Sequence, residues 1–256
     1  EFLDALKGSY AEAPVYVRRV YKEEPYKGIR APSGSIFEKL LNSDNYQQYF
    51  TKLKARTIRR FSAPENYLKQ KHKKLEESQM NLVQHHFFRV RANIRLRSLI
   101  RHYHKLAEDV DFERPYIYVA LSFQPERTSS PMGSYYVEQH LALDLLSKTV
   151  PEGWHIYAKE HPFEFTPSMS FRAQSGRSYD YYDDIAALPN VSLVPMPINS
   201  YQMIDSSQAV AALTGTVGWE TIYRGKAALI FGFPWYRGCE GVFHIDTRQS
   251  LENALE

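Results

Sequence analysis

A chain of 256 residues is long enough for one large domain, or for one domain with an appended segment, and 43% hydrophobic with 24% charged residues is an ordinary globular composition. The single cysteine, Cys239, excludes an internal disulfide and fits a reducing, cytoplasmic setting. No apolar run approaches the roughly 18 residues that a membrane-spanning helix needs, and a formal net charge of +3 does not make the whole chain strongly basic.

The first residues, Glu1-Phe-Leu-Asp4, do not read as a signal peptide. Up to residue 50 the apolar pattern has no clear period. Ser35 to Leu41 is the exception: a short helix is expected there, with Ser35 as N-cap and Glu38 at the third helical position.

Residues 51–108 read as helical, broken at Pro64. Leu75, Met80, Leu82, Val83, Phe87, Val90, Ile94, Leu96 and Leu99 recur at roughly three-to-four spacing. Between Thr51 and Lys105 there are 15 Lys/Arg against three acids, Glu65, Glu76 and Glu77. This basic stretch admits three readings: a solvated or domain-bridging helix, a face that lies on an anionic membrane surface, or a nucleic-acid contact. Phe87 and Phe88 beside Arg89 and Arg91 suit the second. No recognised nucleic-acid motif is present, so nucleic acid is not an expected partner. His102 and His104, two residues apart, do not share a helix face, so no metal site is expected.

After Pro115 the texture changes. Five short apolar runs read as strands: Tyr116–Leu121, Trp154–Ala158, Val191–Val194, Ala209–Leu213 and Ala227–Phe231. Helical stretches alternate with them: Tyr135–Thr149, Tyr179–Leu188, Ser200–Ser206 with Ser200 as its cap, and a helix from the Thr214–Gly218 turn through Tyr223. A long polar loop spans Phe163 to Gly176. Ser250–Glu256 reads as the first turns of a helix cut short, so the chain is expected to be a fragment of a longer protein. Alternating strands and helices imply right-handed βαβ units and a parallel sheet. The expected organisation is a helical or linker segment over residues 1–111 and a Rossmann-like domain over residues 112–256.

In open parallel sheets ligands bind beyond the carboxyl ends of the strands. The residues that follow the expected strands are therefore the candidates. Thr214-Gly-Thr-Val-Gly-Trp-Glu220 joins a strand to a helix start, where successive backbone N–H groups and the helix dipole suit an anion. Thr214 and Thr216 add hydroxyls, Gly215 and Gly218 allow close approach, and Glu220 can accept from ribose hydroxyls. The loop lacks the Gly-Lys-Ser/Thr ending of a P-loop, and a plain helix cap is the competing reading. Lys159-Glu-His-Pro162 follows another strand. His161, held extended by Pro162, can donate to a phosphate oxygen or protonate a leaving group, and Lys159 can add positive charge. A surface histidine in a proline turn is the alternative. Gln124 and Glu126 can bind sugar or base, or Glu126 can simply pair with Arg127. Trp235-Tyr-Arg237 can close over a ligand or merely pack.

Taken in order, Ala120-Leu-Ser-Phe-Gln-Pro-Glu126, Lys159-Glu-His-Pro162, Leu213-Thr-Gly-Thr-Val-Gly-Trp-Glu220 and Arg224-Gly-Lys226 resemble the bacterial capsule polysaccharide biosynthesis family, which includes the lipid-anchor Kdo transferases. The resemblance covers roughly residues 112–250. It implies an α/β chain: the C-terminal, donor-binding half of a GT-B fold, here preceded by a basic helical segment. It implies a glycosyltransferase that moves Kdo or a related acidic sugar from a CMP donor to a surface glycan or glycolipid, without a metal, in the cytoplasm or peripheral to the inner membrane. Carried over residue by residue, His161 contacts the CMP phosphate, Thr214 and Thr216 contact it from the other side, and Glu220 contacts the ribose. His161 and Glu126 are then the candidate catalytic residues. Lys159, Gln124, Thr214, Gly215, Thr216, Gly218 and Glu220 complete the expected donor site. No complete N-terminal Rossmann domain precedes residue 112, so the acceptor-activating base stays unassigned. The alternatives are another phosphate-handling enzyme of the same fold, such as an epimerase or polyol-phosphate polymerase, and a non-catalytic glycan- or membrane-binding module.

Overall fold

The computed structural model describes residues 82–124, 126, 129–165 and 177–256. The helix expected at Ser35–Leu41, the break at Pro64, the basic stretch before Leu82, Arg127 and most of the polar loop after Phe165 lie outside these residues. Within them, Leu96–Glu256 belong to one compact unit and residues 82–95 to a second.

Six parallel strands form the sheet: β1 (Tyr116–Ala120), β2 (His155–Lys159), β3 (Val191–Leu193), β4 (Ala209–Ala212), β5 (Ala227–Ile230) and β6 (Val242–His244). Their spatial order is β3-β2-β1-β4-β5-β6, that of a Rossmann sheet. The chain runs outward from β1 through β2 to β3, then returns to place β4 on the other side of β1. Ile117 and Ala209 pair across that junction, as do Ala120 and Ala212. This is the topological switch point, where the crossovers on either side diverge and leave a crevice.

Helices cover both faces, which is why β1, β2 and β4 are buried along nearly their whole length. On one face Tyr116, Tyr118, Tyr157 and Val210 pack with Tyr201, Met203 and Ile204 of helix α4 (Ser200–Ser206). Farther along the same face α5 (Val217–Tyr223) lies on β4 and β5. On the other side α2 (Gln139–Thr149) contacts α3 (Tyr179–Ala186) and α6 (Arg248–Leu255). Each fully buried Ile, Leu or Val in this core contributes roughly 1.5–3 kcal/mol.

Helix α1 (Leu82–Leu106) has six Lys/Arg and no acidic residue. Phe87, Phe88, Val90 and Ile94 are exposed. Its last turns belong to the α/β unit: Leu96, Leu99, Ile100 and Tyr103 are buried, and the Tyr103 hydroxyl donates to the Val194 carbonyl at 2.7 Å. Among the described residues, the unit thus takes in the last turns of the segment expected as a helical lead-in. No helix among the described residues is long and apolar enough to cross a membrane.

Four local details differ from expectation. The helix expected from Tyr135 is split into a 3-10 turn (Ser134–Val137) and α2, because Glu138 leaves helical geometry. That break turns Gln139 inward, where its amide exchanges two hydrogen bonds with the Ser122 backbone. The N-cap of α4 is Asn199, whose side chain accepts from the Tyr201 N–H at 2.9 Å, and Ser200 is the first helical residue. Strand β2 is shifted by one residue and includes Lys159. Strand β6 was not expected: three residues with no buried side chain give no apolar signal.

Candidate functional site

The carboxyl ends of β1, β2 and β4 enclose a cleft of about 410 Å³ at the switch point. Ser122, Phe123 and Glu126 enter from the β1 turn, Lys159 to Phe163 from the β2 turn, and Thr214 to Val217 with Glu220 from the β4 turn. The sequence separates these turns by tens of residues, and the strand order makes them neighbours. Of the expected site residues, Glu126, Lys159, His161, Thr214, Gly215, Thr216 and Glu220 line the cleft. Gln124 and Gly218 do not.

Gln124 turns into the protein. Its side-chain amide donates to the Val137 carbonyl and accepts from Arg177 at 2.9 Å. Gly218 stands behind the β4 turn. A Cβ there would lie 2.5 Å from the Tyr236 hydroxyl and 2.7 Å from Ile230 Cδ1, so only glycine fits. Tyr236 is buried, and its hydroxyl donates to the Gly215 carbonyl. Because the peptide is trans, the Thr216 N–H then points away from Tyr236. Tyr236 thus braces the loop from behind, while Trp235 beside it is 71% exposed. Thr216 precedes α5 in helical geometry without a side-chain capping bond, so the turn is not a conventional Thr cap.

His161 is fixed at three points. Its backbone N–H donates to Glu160 Oε1 at 2.7 Å. Its ring Nδ1 accepts from the Phe163 N–H at 3.2 Å, and the ring sits between Phe123 and Phe163. An Nδ1 that accepts leaves the proton on Nε2, so the neutral ring presents an N–H donor. Burial holds the imidazole below its ordinary pKa. The Glu160 and Glu126 charges pull the other way, while Arg177 and Lys159 reinforce the burial effect.

Behind His161 lies a buried charge network whose members were not expected as site residues. Arg177 Nε donates to Glu160 Oε2 at 2.6 Å, and the Tyr182 hydroxyl donates to the same oxygen at 2.8 Å. The other guanidinium nitrogens reach Gln124 Oε1 and the Ser122 carbonyl. Arg177 also lies 4.4 Å over the Tyr181 ring. One guanidinium therefore joins the turns after β1 and β2 to the start of α3. Glu164, buried beside this pair, accepts from the Gln124 N–H at 2.8 Å. Burial first, and then the Glu160 charge, pushes its carboxyl up to about 8.

Lys159 closes the floor of the cleft. Strand alternation puts it on the Tyr157 face, under the start of α4. It is 7% exposed, and its ammonium donates to the Ile198 carbonyl at 2.6 Å and to Ser200 Oγ at 2.9 Å. Burial pushes its pKa down to about 8. Tyr118, on the same face of β1, also lines this floor, and its phenol is pushed up to about 12, chiefly by burial. Neither Tyr118 nor Ser200 was expected at the site. A strand tyrosine and a helix-start serine carry no signal of their own until β1, β2 and α4 are packed together.

Among solved structures the chain is similar to a beta Kdo 2,7 transferase, KpsC of Thermosulfurimonas dismutans, at 17% identity and a TM-score of 0.39, covering 64% of this chain and 52% of that one. It is similar to a beta Kdo 2,4 transferase structure of the same KpsC at 15% identity and a TM-score of 0.37, covering 65% and 54%. It is also similar to a UDP-GlcNAc 2-epimerase from Methanocaldococcus jannaschii at 10% identity and a TM-score of 0.40, covering 62% and 41%. The chain thus spans about half the length of the two transferase chains. No curated protein matches it. Residues 127–244, which carry the β2 and β4 turns and hence most of the cleft, match the sequence model of the capsule polysaccharide biosynthesis protein family.

Proposed function

We propose that this chain is the donor-binding half of a GT-B glycosyltransferase of capsule polysaccharide synthesis, using a CMP-activated acidic sugar. One observation carries the reading: the His161 ring and the Thr214–Thr216 loop share one cleft at the switch point of the sheet. A neutral imidazole with its proton on Nε2 and backbone N–H groups at a helix start form a suitable cradle for one phosphate.

In the transfer, an acceptor hydroxyl attacks the anomeric carbon. The bond from that carbon to the phosphate oxygen breaks, and CMP leaves with the electron pair. His161 Nε2–H donates to the phosphate oxygen that gains charge, and the loop N–H groups share the load. Glu220 accepts from the ribose hydroxyls. Glu126, exposed at the cleft mouth, faces the sugar. The acceptor is a surface glycan or glycolipid, and a general base takes the proton of its hydroxyl.

Titration calorimetry with CMP, UDP and GDP tests the reading. CMP is expected to bind most tightly, and His161→Ala is expected to weaken it by about tenfold or more, the worth of one charge-assisted hydrogen bond. Absence of binding by all three at millimolar concentration, or unchanged CMP affinity in His161→Ala, would overturn it.

A further inference from the structure

We infer that the cleft grips a second negative group of its ligand at Lys159, apart from the phosphate assigned to His161 and the Thr214–Thr216 loop. The inference rests on the donor reading above and adds to it: the ligand carries two anionic centres.

The charges around Lys159 do not balance. Lys159 is buried, yet both acceptors of its ammonium are neutral, a backbone carbonyl and a serine hydroxyl. Among the described residues no carboxylate pairs with it. A buried ammonium is ordinarily matched by an opposite charge, because the loss of hydration is otherwise uncompensated. Three acids also line the cleft. Glu160 is bound by Arg177 and Tyr182, and Glu220 and Glu126 line the β4 and β1 sides of the cleft. Tyr118 and His161 complete the titratable groups that line this space.

An ammonium has three donors, and two are used here. The third remains available on a side chain that lines the cleft. Among the described cleft-lining residues Lys159 is the one Lys or Arg. An anionic oxygen entering the cleft supplies the missing acceptor and the missing counter-charge together. The lowered pKa of about 8 is what an uncompensated site produces, and an anion there would raise it again.

Two chemical sources fit. One is a carboxylate on the transferred sugar, and the other is a second phosphate in a nucleoside diphosphate linkage. Four probes separate them: CMP, CMP-N-acetylneuraminic acid, CDP-glucose and inorganic pyrophosphate. Calorimetry at pH 8 in two buffers of different ionisation heat reads the protons taken up. At that pH about half the lysines are neutral, so filling the subsite draws in up to about half a proton per site. CMP alone draws in none.

Uptake with CMP-N-acetylneuraminic acid but not CDP-glucose identifies the carboxylate, and the reverse identifies the second phosphate. Lys159→Met is expected to abolish the uptake. It should also weaken the two-anion ligand at least tenfold while leaving CMP within about twofold. Wild-type protein gives an independent check: affinity for that ligand falls as pH rises above 8, and CMP affinity does not. If no nucleotide binds but pyrophosphate still takes up protons through Lys159, the donor reading fails and the subsite stands. No uptake with any probe, or an equal loss for all probes in Lys159→Met, overturns the subsite.

Discussion

Arg177 Nε lies 2.6 Å from Glu160 Oε2, both side chains are closed off from solvent, and Glu160 immediately precedes His161. The pair does more than cancel two charges. Its remaining donors and acceptors tie down Ser122, Gln124, Tyr182 and the His161 N–H, so the histidine rests on a rigid foundation.

Removing one partner is therefore far worse than removing both. Arg177→Met strands a buried carboxylate and is expected to cost about 3–5 kcal/mol, read as a lower midpoint in urea unfolding. The double variant Arg177→Met/Glu160→Gln should recover a large part of that loss. A double variant no more stable than the single one would show that hydrogen bonds to the backbone, and not the unpaired charge, dominate.

Glu164 gives a pH signature. Its folded carboxyl sits at about 8 against an ordinary 4.5, so the folded state holds the extra proton between these values. The stability from this group is full below pH 4.5 and is lost as pH rises through 8. Glu164→Gln keeps an acceptor for the Gln124 N–H and cannot ionise. It is expected to change stability little at pH 5 and to raise the melting temperature relative to wild type at pH 9. An equal effect at both pH values would contradict the protonated state.

Much of this was legible in the sequence, and the limit is instructive. Five of the six strands were legible because a parallel sheet covered on both faces needs apolar runs, as in Ala209–Ala212 and Ile156–Ala158. The β2 and β4 turns were legible because small residues and a His-Pro pair at strand ends are unusual. Arg177 was not, because it lies 17 residues from Glu160 and next to a polar loop, where a lone arginine reads as solvated. Gln124 looked like a ligand-binding residue, but it satisfies Arg177 and a backbone carbonyl inside the protein. Whether a polar side chain faces ligand or core depends on long-range pairing that local pattern does not contain.

Gly218 is a steric requirement of the β4 turn. Gly218→Ala brings a methyl group against Tyr236 and Ile230 and is expected to cost about 1–3 kcal/mol. It should also weaken CMP binding, because Tyr236 holds the Gly215 carbonyl. Thermal unfolding and calorimetry on the same sample check both. Unchanged stability would mean that Tyr236 moves aside at no cost.

His161 is expected to be neutral, with its proton on Nε2, throughout pH 6.5–8. Its folded pKa is lowered by burial, so the unfolded chain takes up the proton first as pH falls, and this group costs stability below pH 6.5. Nitrogen-15 chemical shifts of the ring report both tautomer and pKa. A proton on Nδ1, or a pKa above 6.5, would remove the donor geometry described for this side chain.

Strand β1 pairs with β2 on one edge and with β4 on the other. During synthesis its second edge stays bare until the chain has grown past Ala212. Throughout that interval the ribosome-bound intermediate presents an apolar, hydrogen-bond-hungry border to its surroundings. Truncations that end before Ala209 should therefore be sticky and dependent on chaperones, whereas those that end after Ile230 have that border sealed.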